Sequence, residues 1–361
     1  MTADNRSPLS SSEALRRLFA RLDDAKAVAA AVSGGPDSMA LMHMLACWSR
    51  EAGSRILVAT VDHGLRPGSA GEAVQVGEQA SRLGLPHEVL TWDGPKPRTG
   101  LQEAARHARY RLLTDWARKA GATHLVTGHT LDDQAETVLM RLSRGSGPAG
   151  LTGMRPEILR SGILHVRPLL HLPKASLVDL CRREGWAFVR DPSNEDDRFA
   201  RVRWRRLLPA LAAEGLTAER LARLAERARR TDDALSAKAQ EAFSRAGGSE
   251  GDGAVALRAS VLAEEPLEIA IRLLGLALDR CRRERTVVRL ERVEACAERL
   301  RQAVGSKMKV RTSLAGTLIR LDGDGYLHLS LEPPRRRGRY GSVRDDAAGA
   351  PHSLGKERRH A

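Results

Sequence analysis

A run of small apolar residues, Val28–Val32, ends in Ser33-Gly34-Gly35-Pro36-Asp37-Ser38, and a helical period opens at Met39. No other stretch restricts the fold of this chain as much. A strand that turns directly into a helix aims the first helical N–H groups and two hydroxyls at one spot, where anionic oxygens bind. The two glycines allow close approach and positive φ. No Gly-Lys-Ser/Thr follows, so this is not the common nucleotide loop. Taken alone, the segment also reads as an ordinary strand-to-helix turn capped by Ser or Asp.

The surrounding pattern favours the first reading. Strand-like runs at Ala27–Val32, Arg55–Val61, His87–Thr91, His124–Thr127 and Trp186–Val189 alternate with helical stretches. These stretches are Asp37–Gly53, Ser69–Gly84, Leu101–Ala120, Asp132–Ser143 and Lys174–Glu184. Ser69-Ala70-Gly71-Glu72 has the form of a capping box. Such alternation implies an α/β fold with a doubly wound parallel sheet, whose ligands bind at the carboxyl ends of the strands. The segments after Val32, Val61 and Thr127 all fall there.

From Leu216 the texture changes to Ala, Arg, Glu and Leu. Helical periods run over Leu216–Ala246, Pro266–Arg282 and Leu290–Val304, with a Gly-rich break at Gly247–Gly253. Thr312–Asp322 and Tyr326–Leu331 flank Gly323-Asp324-Gly325 and predict a β-hairpin. The expected organisation is a lead-in over 1–24, a nucleotide-binding catalytic domain over 25–210, a mainly helical domain with the hairpin over 215–331, and a disordered basic tail over 332–361.

Net charge is +14, of which Pro333–Ala361 carries +5. A basic body suggests a polyanionic partner, although a preference for arginine codons gives the same balance. Four widely spaced cysteines suit neither a disulfide framework nor a zinc site. No apolar run approaches a membrane span, and the polar N-terminus lacks a signal core, so the expected location is cytoplasmic.

Chemistry gathers at the strand ends. Asp62-His63-Gly64-Leu65-Arg66 follows the second strand, where His63 is a candidate for the nucleotide pocket and Arg66 for phosphate or RNA. Gly128-His129-Thr130-Leu131-Asp132-Asp133-Gln134-Ala135-Glu136-Thr137 opens another helix. Asp132 or Asp133 can cap that helix. Asp133 and Glu136 share one helix face, and paired carboxylates there suit Mg²⁺ or an ammonium group. Arg109 lies on the preceding helix and could pair with a carboxylate. Arg144–Met154 is a mobile Gly-rich loop by composition. Arg198–Arg206 sets arginines beside Phe199 and Trp204, which suits phosphate contact and base stacking, or equally an amphipathic linker.

The six-residue loop resembles the phosphate loop of ATP pyrophosphatases. In order along the chain, that loop, Asp62–Arg66, Gly128–Thr137, Arg144–Met154, Arg167-Pro168-Leu169-Leu170 and Asp191-Pro192-Ser193-Asn194 resemble bacterial tRNA(Ile)-lysidine synthases over roughly residues 25–210. The resemblance implies an adenine nucleotide alpha-hydrolase-like fold. It also implies ATP-dependent adenylation of the wobble cytidine of tRNA(Ile) with a CAU anticodon, followed by attack of free L-lysine. By that resemblance Ser33, Gly34, Gly35, Pro36, Asp37, Ser38, His63, Gly128 and His129 bind ATP. Asp37 is linked to Mg²⁺, and Arg109, Asp133 and Glu136 serve lysine or the transfer. Arg144, Arg201, Arg203 and Arg205 are candidates for RNA, and the helical domain over 215–331 is expected to contact the tRNA. The chain departs from many relatives at Val202, where they carry Asn, and matches little beyond 215. A tRNA thiolase with the same loop is the nearest alternative, opposed by the lack of a Cys-x-x-Cys pair. A non-catalytic RNA-binding relative is opposed by the intact loop and carboxylates.

Overall fold

The computed structural model describes residues 9, 11–65, 68–94, 96–97, 99–189, 200–247, 249–251, 253–281 and 288–332. Two compact units divide between Lys238 and Ala239.

In the first unit, α1 (Ser12–Phe19) precedes β1 (Ala27–Ala31), α2 (Pro36–Ala52), β2 (Arg55–Asp62), α3 (Ser69–Arg82), β3 (His87–Thr91), α4 (Leu101–Lys119) and β4 (His124–Thr127). Then come α5 (Leu131–Leu142), α6 (Pro148–Leu151), β5 (Glu157–Arg160), β6 (Ile163–Val166), α7 (Lys174–Arg183), α8 (Ala200–Ala213) and α9 (Ala218–Arg245), which runs past the division. The sheet order is β3-β2-β1-β4-β6-β5, parallel except for β5.

β1 is covered on both faces because successive side chains alternate. Val28 and Ala30 join Phe19, Met39, Leu45 and Leu177 in one core layer. Ala27, Ala29 and Ala31 join Leu113, Ala117 and Leu125 in the other. The chain leaves β1 toward β2 on one side and reaches β4 on the other. The crevice between the carboxyl ends of β1 and β4 is therefore the topological switch point, where such sheets bind ligands.

The predicted strand at Trp186–Val189 is not a strand. Trp186 stacks on His43 at 4.3 Å, and Val189 N–H donates to Gly34 O at 2.8 Å, so the segment braces the Ser33–Ser38 loop from outside the sheet. The hairpin β5–β6 escaped the sequence reading, and Ser161 and Gly162 form its tight turn with φ of 47° and 79°. Ser69 does not cap α3. Gly68 occupies that position with φ of 98°, and the Ser69 hydroxyl donates to Asp62 Oδ1 at 2.8 Å. The first compact unit runs past 215, where the helical domain was expected to begin. Leu221 and Ala225 of α9 pack with Ala135, Val138 and Leu139 of α5, which draws the first part of α9 into this unit.

The second unit holds β7 (Ser249–Gly251), β8 (Ala254–Arg258), α10 (Ser260–Glu264), α11 (Leu267–Cys281), α12 (Leu290–Gly305), β9 (Val310–Leu314), β10 (Thr317–Leu321) and β11 (Tyr326–Leu331). The expected hairpin grows into an antiparallel sheet of order β7-β8-β11-β10-β9. Thr312–Asp322 is not one strand, because Ala315 and Gly316, with φ of 51° and 77°, turn the chain inside it. Gly247–Gly253 is not merely a break, since β7 lies within it and pairs with β8. Val255, Leu257, Ile319, Leu327 and Leu329 line the buried face of the sheet.

Candidate active site

The Ser33–Ser38 loop closes on itself. Ser33 N–H donates to Ser38 Oγ at 3.1 Å, the two hydroxyls lie 3.3 Å apart, and Ser38 Oγ donates to Gly35 O at 3.0 Å. Gly34 adopts φ of 83°, a conformation that disfavours side chains. Gly35 caps α2 with extended backbone and Pro36 takes its first position, where a missing N–H does no harm. The first turn of α2, whose N–H groups have no acceptor within the helix, therefore starts at the carboxyl end of β1.

Gly128, at the end of β4, closes the other side. A Cβ there would lie 2.9 Å from Asp37 O and 3.1 Å from Ser38 N, so glycine is what lets β4 approach the head of α2. The chain then enters α5 through Thr130. Thr130 N–H and hydroxyl both donate to Asp133 Oδ2 at 3.0 Å, a capping box that the sequence reading had not placed there. Asp132 caps a different helix. Its Oδ2 accepts from the N–H of Lys174 at 2.7 Å, at the start of α7.

These contacts bring Asp37, Asp132, Asp133 and Glu136 together, with cations from distant sequence among them. Lys174 Nζ lies 2.9 Å from Asp37 Oδ2. Asp37 Oδ1 is buried without a hydrogen-bond partner among the described residues. Burial raises the Asp37 pKa, outweighing Lys174, with Asp133 and Asp132 adding to the rise. Glu136 is fully buried; its Oε1 accepts from Arg205 Nε at 2.8 Å, while Oε2 has no partner among the described residues. Burial lifts its pKa against the pull of Arg205. Burial works against the charge of Arg205, but Glu136 more than compensates, so its pKa rises. Arg205 was expected to face RNA. It is instead occupied by Glu136, because α8 packs Trp204 and Leu208 onto the α5 cluster. Neither Lys174 nor the Arg205 pairing has a local signature, since their partners lie 137 and 69 residues away.

The α4 side of the crevice is basic. Arg109 is half-buried there and forms no ion pair among the described residues. Burial lowers its pKa, and Arg106 and Arg201 add to the effect. Arg201 therefore lies near the crevice, whereas Arg203 and Arg144 are exposed. His129 Nδ1 lies 2.7 Å from Thr127 Oγ1, and burial with Arg167 and Arg109 nearby depresses its pKa strongly. His63, edge-on to Trp92, is likewise lowered by burial and Arg109. His165, which the sequence reading missed, sits between Thr127 Oγ1 at 2.9 Å and Arg167 at 3.2 Å. Burial, then Arg167, pushes it down to about 2.

The Arg144–Met154 stretch is anchored rather than loose. Arg141 Nη1 donates to Gly150 O and Gly153 O at 2.8 Å. Gln134 exchanges two hydrogen bonds with Met154. Arg66, Asp191–Asn194, Arg198 and Phe199 lie outside the described residues.

A glycine-rich turn at the head of α2, set at the switch point of a mostly parallel sheet, is the architecture of a nucleotide-binding α/β domain. The sequence profile described as the PP-loop domain matches residues 9–211. The tRNA(Ile)-lysidine synthase of Methylobacterium nodulans (strain LMG 21967 / CNCM I-2342 / ORS 2060) is 53% identical over 344 residues, covering 92% of this chain and 98% of that one. That of Rhodopseudomonas palustris (strain ATCC BAA-98 / CGA009) is 49% identical over 348 residues, with 93% and 99% covered. The chain belongs to the tRNA(Ile)-lysidine synthase family, and it is an ATP-dependent ligase. Among solved structures, the U34-tRNA thiolase from Methanococcus maripaludis superposes with a TM-score of 0.52 at 18% identity, over 59% of this chain and 76% of that one, a likeness of fold alone.

Proposed function

We propose that this enzyme adenylates C2 of the wobble cytidine in the CAU anticodon of tRNA(Ile), and that the amine of free L-lysine then displaces AMP to give lysidine. The observation that carries the lysine half is Glu136. Its Oε1 is held by Arg205, while Oε2 is buried and has no partner among the described residues, and Asp133 lies one helical turn away. An ammonium group satisfies such an oxygen. A free lysine amine, with a pKa of about 10.4, must lose a proton before it attacks, and a carboxylate at this spot can hold the cation and accept that proton.

The nucleotide half rests on the cradle. The backbone of Ser33–Ser38, with Gly128 allowing close approach, suits the triphosphate, and His63 and His129, kept neutral, suit the nucleoside side of the crevice. Asp37 Oδ1 is a buried carboxylate oxygen beside that cradle with no partner among the described residues, and it fits Mg²⁺, which is commonly held by one or two carboxylates and substrate phosphates. When bound, Mg²⁺ would offset charge that builds on the phosphates as pyrophosphate leaves. Arg109 and Arg201 offer charge to the same developing anion. Arg144 and Arg203, exposed in the described structure, suit RNA phosphates, as does the basic region over 215–331. A tRNA substrate carries with it a cytoplasmic location.

The test is incubation of the purified chain with tRNA(Ile) bearing CAU, ATP, Mg²⁺ and radiolabelled lysine. Label should enter the RNA in an ATP-dependent manner. Label-free RNA together with active ATP turnover would overturn the lysine assignment.

A further inference from the structure

Lys174 lies outside every segment that the sequence reading assigned to chemistry, yet its position is fixed from two directions. Its N–H is held by Asp132 Oδ2 at 2.7 Å, and Leu131 N–H donates to Leu172 O at 3.0 Å, so the start of α7 is tied to the start of α5. Its ammonium, about one-third exposed, lies 2.9 Å from Asp37 Oδ2, the side chain of the second helical residue behind the phosphate cradle. The other oxygen of Asp37 is buried and has no partner among the described residues. Asp132 and Asp133 act electrostatically on Asp37 from α5 and Arg205 from α8, while Cys181 Sγ of α7 meets Pro36 O at 3.6 Å. Among the described residues, Lys174 is the cation in hydrogen-bonding contact with Asp37.

We propose that Lys174 is a phosphate-binding residue for the adenylation step. It holds Asp37 while the crevice is empty and transfers its ammonium to the ATP phosphates when nucleotide enters, which frees both Asp37 oxygens. This rests on the ATP half of the proposed function. Physical necessity motivates the exchange. A half-buried lysine and a half-buried carboxylate with one buried oxygen are each poorly solvated, so each needs a counter-charge in both states. ATP delivers negative charge to the ammonium, and divalent metal, when it accompanies the nucleotide, takes the ammonium's place at the carboxylate. A compact ammonium on a flexible stem suits such a swing better than a planar guanidinium. The backbone anchor through Asp132 does not depend on the side chain, so α7 keeps its start when the side chain is changed.

The experiment uses the full chain with Lys174→Met and Lys174→Arg. Metal-free ATP binding is measured by calorimetry, pyrophosphate release gives KM and kcat, and melting is followed with Mg²⁺ alone. A charge-assisted hydrogen bond supports a loss of about ten- to a hundredfold. That loss is expected in metal-free ATP affinity and in KM for ATP with Lys174→Met, with KM for lysine unchanged and most of the affinity restored by Lys174→Arg. In Lys174→Met, Asp37 lacks its cation, so Mg²⁺ alone should raise the melting temperature more than in the parent. Unchanged metal-free ATP affinity in a folded Lys174→Met variant, or an equal response to Mg²⁺ alone in both proteins, overturns the proposal. Absence of lysine incorporation by the parent chain would count against the proposed reaction instead, because the calorimetric arm needs no turnover.

Discussion

Gly128→Ala tests the backbone contact between the end of β4 and the head of α2. The added Cβ would stand 2.9 Å from Asp37 O, 3.0 Å from Asp37 C and 3.1 Å from Ser38 N, where ordinary contacts begin at 3.4 Å. All three neighbours are backbone, so no side chain can swing aside, and the head of α2 must retreat by about half an ångström to reach ordinary contact distance. Overpacking of this kind costs about 1–3 kcal/mol. In a unit of this size each kcal/mol lowers Tm by about 2–4 °C, so the expected drop is about 2–12 °C. A misplacement of about 1 Å can cost on the order of a hundredfold in rate, which makes about tenfold reasonable for half that shift. The assays are thermal melting and pyrophosphate release at saturating tRNA. Gly71→Ala is the control. It sits in α3 with nothing within 4 Å of its Cβ, and it should gain about 0.5–1 kcal/mol with unchanged rate. Parental Tm and parental rate in Gly128→Ala would refute the claim that β4 is pressed against the cradle.

Three further outcomes are expected. Glu136→Gln keeps an acceptor for Arg205 but removes the charge, so at limiting lysine, label incorporation should fall about ten- to a hundredfold with pyrophosphate release little changed. Equal falls in both steps would move Glu136 to the nucleotide. His165 has a folded pKa pushed from 6.5 to about 2, so its contribution to stability is present above about pH 6.5 and is lost as the pH falls toward 2. Urea titrations between pH 6 and pH 4 should therefore show a slope about 1.4 kcal/mol per pH unit shallower in His165→Gln, and parallel slopes would contradict this. A chain ended after Leu331 should keep its turnover at saturating tRNA and lose affinity at low salt; a lower saturating turnover would give the basic tail a part in the chemistry.

The sheet was legible where its signals are local. β1 to β4 and their helices follow from short apolar runs between helical periods, and the cradle is six consecutive residues. The β5–β6 hairpin was equally available, since Ser161-Gly162 separates two apolar runs, a two-residue turn of known type. Ala315-Gly316 carries a similar but weaker signal. Trp186–Val189 misled because an apolar run that braces a loop has the composition of one that joins a sheet. Lys174 and Arg205 could not be found by spacing, because each is a cation on a helix surface until tertiary packing brings a carboxylate to it. For the same reason the arginines of α8 looked like one RNA-facing group, although the structure turns Arg205 inward.

The position of β1 between β2 and β4 also bears on how the chain is made. β2 follows β1 closely during synthesis, but more than ninety residues separate the end of β1 from the start of β4. At about 5–20 residues per second, one edge of the central strand waits roughly 5–20 s for its partner. An open strand edge of that kind recruits other chains. Here the waiting strand is Ala27-Val28-Ala29-Ala30-Ala31, made almost wholly of a residue with small side chains and poor strand propensity. The strand with the longest exposure on the ribosome is thus poorly suited to recruiting a wrong neighbour, and the same small side chains later let helices close over both of its faces.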